Sequence, residues 1–133
     1  MRYLQILLLS AVWLPAQAAL GCQVYTFDSW AKWISQASPL FVGVVTEINP
    51  RMDDPTGSGD ATVMVERVIR GVVGDTYSIE QPGTYDCRTK YKVGDRVLIP
   101  GDHPTYPAIA ILSDRPTTPY QQAQMDFIQS LLQ

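Results

Sequence analysis

Short β-branched segments divided by turn residues are the feature that most limits the folds open to this chain. Segments rich in apolar and β-branched residues begin near positions 40, 61, 76, 97 and 107, and clusters of Gly, Pro, Asn or Asp separate them. Runs of about 4–8 such residues between turn signals are typical of strands. No helix alternates with these strands as in a βαβ fold, so the pattern predicts a small antiparallel barrel or a sandwich.

The first strand segment, residues 40–48, contains one glycine at Gly43. A glycine inside a strand marks a bulge or a sharp bend, and small barrels need such bends where their strands coil. Turn residues then fill positions 49–60, which predicts a long loop between the first two strands.

A short helix is expected before the strands. Asp28-Ser29 offers an N-cap, and Ser38-Pro39 offers a stop. Between them an apolar stripe recurs at helical spacing, formed by Trp30, Trp33, Ile34 and Ala37. Two tryptophans on one stripe are read here as core residues, with a sugar-binding platform as the alternative.

A second helix is expected at the end of the chain. Thr118-Pro119-Tyr120-Gln121 combines an N-cap, a proline at the first helical position and a capping-box glutamine. An apolar stripe with one polar break follows, at Tyr120, Ala123, Gln124, Phe127, Ile128, Leu131 and Leu132. This stripe is expected to pack on the strands, and a partner-binding helix is the alternative.

The first eighteen residues have the pattern of a secretory signal. Arg2 precedes an apolar run over residues 4–14, and Ala16-Gln17-Ala18 then supplies the small-x-small cleavage pattern. The run is shorter than the ~20 residues that a membrane-spanning helix needs. We therefore expect a signal peptide at 1–18, one domain at 19–115 and a C-terminal helix at 116–133, in a periplasmic or secreted protein.

The two cysteines of the chain, Cys22 and Cys87, agree with export. An even number of cysteines in an oxidising compartment predicts one disulfide bond between them. A second interpretation stays open, because residues 18–22 (AALGC) resemble a lipobox, in which Cys22 would be acylated. The usual leucine three places before the cysteine is replaced by Ala19, so ordinary cleavage after Ala18 is preferred over a membrane-anchored lipoprotein.

Catalytic and metal-binding patterns are not found in the sequence. His103, the only histidine, lies in a turn with no candidate serine near it, and it is interpreted as a solvated loop residue. Two cysteines and this distant histidine do not make a zinc site, so we expect no metal, no cofactor and no enzyme activity. The aspartates at positions 53, 54 and 60 lack EF-hand spacing, so they are interpreted as part of a flexible, soluble hairpin loop, with a calcium site as the open alternative.

The charge of the chain argues against a nucleic-acid partner. The formal net charge is −3 at pH 7, and loss of Arg2 with the signal makes it one unit more negative. A local basic cluster surrounds Tyr91 at Arg88, Lys90, Lys92 and Arg96. These residues are interpreted as solvated strand faces, because a nucleic-acid binder needs a broadly basic surface.

An ordered set of segments resembles the netrin-like module of tissue inhibitors of metalloproteinases, and especially its small bacterial secreted relatives. The set comprises residues 41–48 (FVGVVTEI), 65–71 (VERVIRG), 74–76 (GDT), Cys87 and 91–99 (YKVGDRVLI). The resemblance covers about residues 22–112. It implies a mainly β fold, a five-stranded OB-fold-like antiparallel barrel flanked by helices, with Cys22 bridged to the loop after the third strand.

The same resemblance implies where a partner would bind. Netrin-like barrels bind with the edge that the N-terminal segment and its disulfide-linked loop form. In this chain the corresponding residues are Gln23, Val24, Tyr25, Thr84, Tyr85, Asp86 and Arg88. Tyrosine and arginine are enriched among residues that dominate binding energies. The alternative is that Tyr25 and Tyr85 only cover the disulfide bond.

Inhibition of a metalloprotease does not carry over with the fold. The animal inhibitors begin with Cys-x-Cys and chelate zinc with the free α-amine of the first cysteine, whereas this chain reads Cys22-Gln23-Val24. Cleavage after Ala18 would also leave an amide nitrogen at Cys22, which is a poor metal ligand. We therefore expect an exported, non-enzymatic protein-binding module with an unknown protein partner. A metalloprotease inhibitor, a lipid-anchored envelope protein and, third, a hydrolase remain the alternatives.

Overall fold

A computed structural model describes residues 26–83, 90–101 and 109–133 of the protein. Within them lie two helices, α1 (Phe27–Gln36) and α2 (Pro119–Leu132), and the strands β1 (Leu40–Pro50), β2 (Gly59–Arg70), β3 (Thr76–Gln81), β4 (Arg96–Pro100) and β5 (Ala110–Ile111). The strands form one antiparallel sheet in the order β3-β2-β1-β4-β5. The prediction of a mainly β fold with five antiparallel strands and two helices is confirmed. The sandwich alternative is wrong, because all of these strands share one sheet.

The ends of three strands differ from the sequence prediction. β1 and β2 extend into the predicted loop, because Asn49 pairs with Asp60 and Pro50 pairs with Gly59. Turn-type residues adopt strand conformation there because the antiparallel ladder continues past the apolar core. β5 is shorter than the predicted strand at 107–112, and positions 107 and 108 lie outside the described residues.

Helix α1 begins earlier than the Asp28-Ser29 cap that the sequence suggests. The N-cap is Thr26, whose side-chain oxygen accepts a hydrogen bond from the Ser29 amide at 3.1 Å. The predicted apolar stripe is largely confirmed, since Trp30, Ile34 and Ala37 are buried while Trp33 is only partly so. Burial of Trp30 makes it a core residue, as the preferred interpretation has it.

Helix α2 begins at the predicted cap. The Thr118 hydroxyl accepts from the Gln121 amide at 3.1 Å, and the Gln121 side chain reaches back to the Thr117 amide at 2.7 Å. Ile128 is fully buried, and the Phe127 ring contacts the Trp30 ring edge-on at a centroid distance of 5.6 Å. The two helices therefore pack together on the sheet. Neither described helix is long and apolar enough to cross a membrane.

The core of the described residues has two parts, one on each face of the sheet. The part that both helices cover contains Trp30, Ile34, Ala37, Leu40, Val42, Leu98, Ala110 and Ile128. The other part is built from strand residues, namely Phe41, Val45, Ala61, Val63, Ile79, Val97 and Ile99. β1 supplies both parts because successive side chains point to opposite faces. This explains why its sequence is continuously apolar rather than alternating.

The sheet is strongly curled around the second part of the core. In a flat sheet β3 and β4 would be three strand spacings apart, about 14 Å. The hydroxyl of Tyr77 on β3 nevertheless donates to the carbonyl oxygen of Gly101, just after β4, at 3.2 Å. No backbone hydrogen bonds join β3 to β5 among the described residues. A closed barrel therefore stays a prediction, whereas the curl is observed.

Bulges account for part of this curvature. The β1–β2 register shifts three times and leaves Thr46, Glu66 and Ile69 without a directly opposed residue. Such extra residues bend a strand and increase its twist. The shift beside Gly43 confirms the predicted irregularity, although the extra residue, Glu66, lies on the partner strand. A Cβ at Gly43 would lie 2.7 Å from the Met64 carbonyl oxygen and would collide with Val63, so only glycine fits this bend.

Candidate functional site

The residues that the sequence nominates for partner binding lie outside the described residues. They are Gln23, Val24, Tyr25, Thr84, Tyr85, Asp86 and Arg88. The predicted Cys22–Cys87 disulfide and the loop residue His103 also lie outside them. These assignments therefore stay predictions. The described residues that flank positions 84–89, Gly83 and Lys90, do show which part of the fold those positions connect to.

The β1–β2 loop and the end of β3 lie side by side at one end of the sheet. Pro50 pairs with Gly59 at the end of the hairpin, and Gly59 pairs in turn with Gln81, the last residue of β3. A Cβ built on Gly83 would collide with Thr56 of the loop. We call residues 51–58 together with Gln81, Gly83, Lys90 and Tyr91 the loop end of the sheet.

The β1–β2 loop is ordered by its own backbone hydrogen bonds. The Arg51 amide donates to the Ser58 carbonyl oxygen at 2.8 Å and closes the loop at its base. Inside it, the Asp54 amide donates to the Arg51 carbonyl oxygen, and the Gly57 amide donates to the Asp54 carbonyl oxygen, both at 3.2 Å. Gly57 has a φ of 81°, a conformation that favours glycine. The loop is therefore two successive turns.

The carboxylate of Asp54 fastens these turns together. One oxygen accepts from the Thr56 amide at 2.8 Å and from the Thr56 hydroxyl at 2.6 Å, and the other accepts from the Ser58 hydroxyl. Hydrogen bonds to the charged form stabilise it. The Ser58 and Thr56 donors accordingly lower the pKa of Asp54 from 3.8 to about 2. Asp54 is thus ionised at neutral pH and occupied by its own loop.

Gln81 joins the end of β3 to the segment that leads into β4. Its side-chain Nε2 donates to the Tyr91 carbonyl oxygen at 3.0 Å, and its Oε1 accepts from the Tyr91 amide at 3.0 Å. The Gln81 side chain is buried, and both of its polar atoms are satisfied. We call this pair of hydrogen bonds the Gln81 clamp. It lies at the base of the β3–β4 loop, residues 82–90.

The outer surface of the loop end carries apolar and basic side chains. Met52 is fully exposed, and Arg51 beside it is exposed as well. Lys90 is exposed, and its Nζ lies beside Gly57 of the β1–β2 loop. A Cβ built on Gly57 would lie 3.6 Å from this nitrogen. An exposed thioether is flexible and polarizable, which makes it suited to protein contacts.

Three members of the basic cluster predicted around Tyr91 lie within the described residues. Lys90, Lys92 and Arg96 are all exposed, and the Arg96 Nε is paired with a Glu66 carboxylate oxygen at 3.0 Å. Arg88 lies outside the described residues. The exposure of these three side chains agrees with their interpretation as solvated residues, and the ion pair reaches over β1, which separates β2 from β4.

Metal-ligating groups do not converge in the part of the chain that the structure describes. No three His, Cys, Asp or Glu side chains of these residues come together in a way that could hold a metal ion. In the loop proposed as a calcium alternative, both carboxylate oxygens of Asp54 are taken by Thr56 and Ser58.

Comparison with known proteins adds no further assignment. The sequence matches no protein-family model, and no curated protein matches it. The resemblance to netrin-like modules consequently stays a hypothesis that rests on the quoted segments.

Sequence reasoning missed two groups of residues at the loop end. The first is the Asp54, Thr56 and Ser58 network, for which a signal existed, because Asp-x-Thr favours an Asx turn. The second is Gln81, for which no signal existed. A glutamine at the end of an alternating strand is indistinguishable from a solvated residue until its partner, Tyr91, is known.

Proposed function

We propose that the protein is an exported, non-enzymatic module that binds another protein through the loop end of its sheet. The observation that carries this proposal is the internal order of the β1–β2 loop. Residues 51–58 contribute nothing to either part of the core, yet they are held by backbone and side-chain hydrogen bonds. A loop that is ordered before binding loses little conformational entropy when a partner docks. Functional residues often lie on such loops.

The nominated partner-binding residues are compatible with this location. Thr84, Tyr85 and Arg88 lie between Gly83 and Lys90, which both approach the β1–β2 loop. We propose that they extend the same surface, with Tyr85 and Arg88 as its main contributors to binding energy. The secretory pattern at 1–18 and the acidic net charge support a periplasmic or secreted location and a protein rather than a nucleic-acid partner.

The sheet order supports the finer proposal of an OB-fold-like barrel. β3 and β5 are the two edges, and both contribute side chains, Tyr77 and Ile111, to the same part of the core. The Tyr77–Gly101 hydrogen bond brings the β3 edge close to the end of β4. Approach of β3 to β5 would complete such a barrel.

The test begins with mature protein that starts at Ala19 and is immobilised to capture partners from envelope and secreted fractions. The captured protein is identified and purified, and its Kd is measured by calorimetry. We expect the double variant Tyr85→Ala/Arg88→Ala to weaken binding at least about tenfold, because such residues each contribute over 1 kcal/mol in many interfaces. The matched control is Val72→Ala, an exposed apolar residue on the β2–β3 turn, which should bind like the wild type.

Three results would change this proposal. Absence of any saturable protein partner would refute it, and equal weakening by Val72→Ala would remove the assigned surface. A free α-amine on Cys22, found by N-terminal sequencing of natural protein, would favour the metalloprotease inhibitor, which a titration against zinc proteases then tests. A diacylglyceryl group on Cys22 would establish the lipid-anchored form and exclude its disulfide with Cys87.

A further inference from the structure

The Gln81 clamp is the most deeply placed polar contact of the loop end. Gln81 is only 5% exposed, whereas the hydroxyl, carboxylate and basic groups around it are partly or fully exposed. Burying an amide is unfavourable unless its donor and acceptor are both paired. Here the side-chain amide pairs with the Tyr91 backbone as a neighbouring strand would, through one donated and one accepted hydrogen bond at 3.0 Å.

The clamp connects two parts of the fold that are themselves fixed. On one side, Gln81 belongs to β3 and pairs with Gly59 of β2. On the other side, Tyr91 precedes a tight turn in which the Lys92 amide donates to the Asp95 carboxylate at 2.8 Å. That turn is bonded to β1, since the Val45 amide donates to the Asp95 carbonyl oxygen at 2.9 Å. Gln81 and Tyr91 are thereby both fixed relative to the sheet.

We propose that Gln81 is a positioning residue, whose amide fixes the Tyr91 backbone against the end of β3 and so orients the loop end of the sheet. The binding role of the positioned surface rests on the proposed function. The clamp itself rests only on the hydrogen bonds between Gln81 and Tyr91. The clamp acts between described residues and needs no disulfide bond at Cys87.

The first experiment removes the clamp while keeping the shape of the side chain. Gln81→Met has a similar length but offers neither an amide donor nor a carbonyl acceptor to Tyr91. We expect the hydrogen-exchange protection factor of the Tyr91 amide to fall at least about tenfold, since two hydrogen bonds are lost at a buried site. The protection of core amides such as Val63 should fall less. Gln129→Met, on an exposed position of α2, is the matched control.

The second experiment makes the clamp dependent on pH. In Gln81→Glu the ionised carboxylate accepts but cannot donate, so it loses the bond to the Tyr91 carbonyl oxygen at neutral pH. Protonation restores one donor and one acceptor in nearly the same geometry. At pH 7 the ionised carboxylate also repels the Tyr91 carbonyl oxygen, which opens the clamp and exposes the Tyr91 amide. The Tyr91 protection factor of this variant should therefore be low at pH 7 and rise toward the wild-type value in acid. This variant also keeps the inference testable if Gln81→Met does not fold.

Binding to the purified partner separates this inference from the proposed function. The inference is overturned if Tyr91 protection in Gln81→Met equals the wild type or falls only in proportion to the core amides. It is also overturned if Gln81→Glu shows no pH dependence beyond that of the wild type. If the clamp opens as expected but partner affinity is unchanged, the positioning role is refuted and the proposed function stands. If no protein binds the wild type, the proposed function fails and the exchange result alone reports on the clamp.

Discussion

Replacement of Arg70 should show how much of the stability of α1 comes from a distant residue. No basic residue lies in the last turn of this helix. Arg70, at the end of β2, supplies the missing positive charge, because its Nη1 donates to the Ile34 carbonyl oxygen at 3.1 Å and also to the Ala37 carbonyl oxygen. Cations at a helix C-terminus are favourable because they meet unpaired carbonyl groups and the negative end of the helix dipole.

The magnitude follows from the two hydrogen bonds and from partial exposure to solvent. A hydrogen bond to a charged group contributes about 1.5–3 kcal/mol when it is well shielded. Arg70 is half-buried and one nitrogen serves both carbonyls, so we expect the pair to contribute about 1–3 kcal/mol together. Arg70→Met keeps most of the apolar stem and removes the donors. The free energy of unfolding of small proteins falls by about 1–3 kcal/mol for each molar of urea, so the urea midpoint of this variant should fall by roughly 1 M.

Urea titration followed by circular dichroism, and by the fluorescence of buried Trp30, measures this change. Arg67→Met is the matched control, because Arg67 lies on the same strand and is exposed. The control should stay within about 0.5 kcal/mol of the wild type. Equal stability of the two variants would refute the capping argument. A loss in Arg70→Ala without any loss in Arg70→Met would assign the effect to packing of the stem instead.

Two further predictions concern the bend in β1 and the loop carboxylate. Gly43→Ala should lower the free energy of unfolding by about 1–3 kcal/mol, because the added methyl group meets Val63 and the Met64 backbone. The control is Gly74→Ala, which has open space around it and should not destabilise the fold. Equal unfolding midpoints of the two variants would contradict this prediction. The Asp54 carboxyl should titrate at about pH 2 by carbon NMR, well below the ordinary value of 3.8. Because the pKa of Asp54 is lowered on folding, its hydrogen bonds stabilise the loop fully above about pH 4, and this stabilisation is lost as the pH falls through 2. A titration midpoint of the Asp54 carboxyl near pH 3.8 would refute the hydrogen-bond network.

The parts of the fold that follow from local patterns could be predicted from the sequence. The strand segments, the Thr118 cap and the irregularity at Gly43 all depend on residues that are close together along the chain. The ends of β1 and β2 could not be predicted in this way. Asn49 and Pro50 read as turn residues, yet the partner strand holds them in the ladder because Asp60 and Gly59 stand opposite.

The helix cap at Thr26 shows the same limit on a smaller scale. Asp28, Ser29 and Thr26 are all capable N-cap residues, so composition alone does not choose among them. A start at Thr26 places Phe27 in the first turn of the helix, where its ring packs against Trp30 and Phe127. Tertiary packing therefore decides a boundary that local propensity leaves open.

The candidate site was harder to predict than the fold because its polar contacts join residues that are distant in sequence or have no distinctive pattern. Gln81 and Tyr91 are ten positions apart, and neither type is a conventional loop or cap signal. Asp54 was visible in the sequence, but as one of three aspartates in a flexible loop rather than as the acceptor that orders it. The sequence directs attention to tyrosine and arginine, which supply contact energy. The structure adds the glutamine and aspartate that hold the adjoining backbone, and a binding loop needs both, because contact energy is largely lost if the loop must first be ordered.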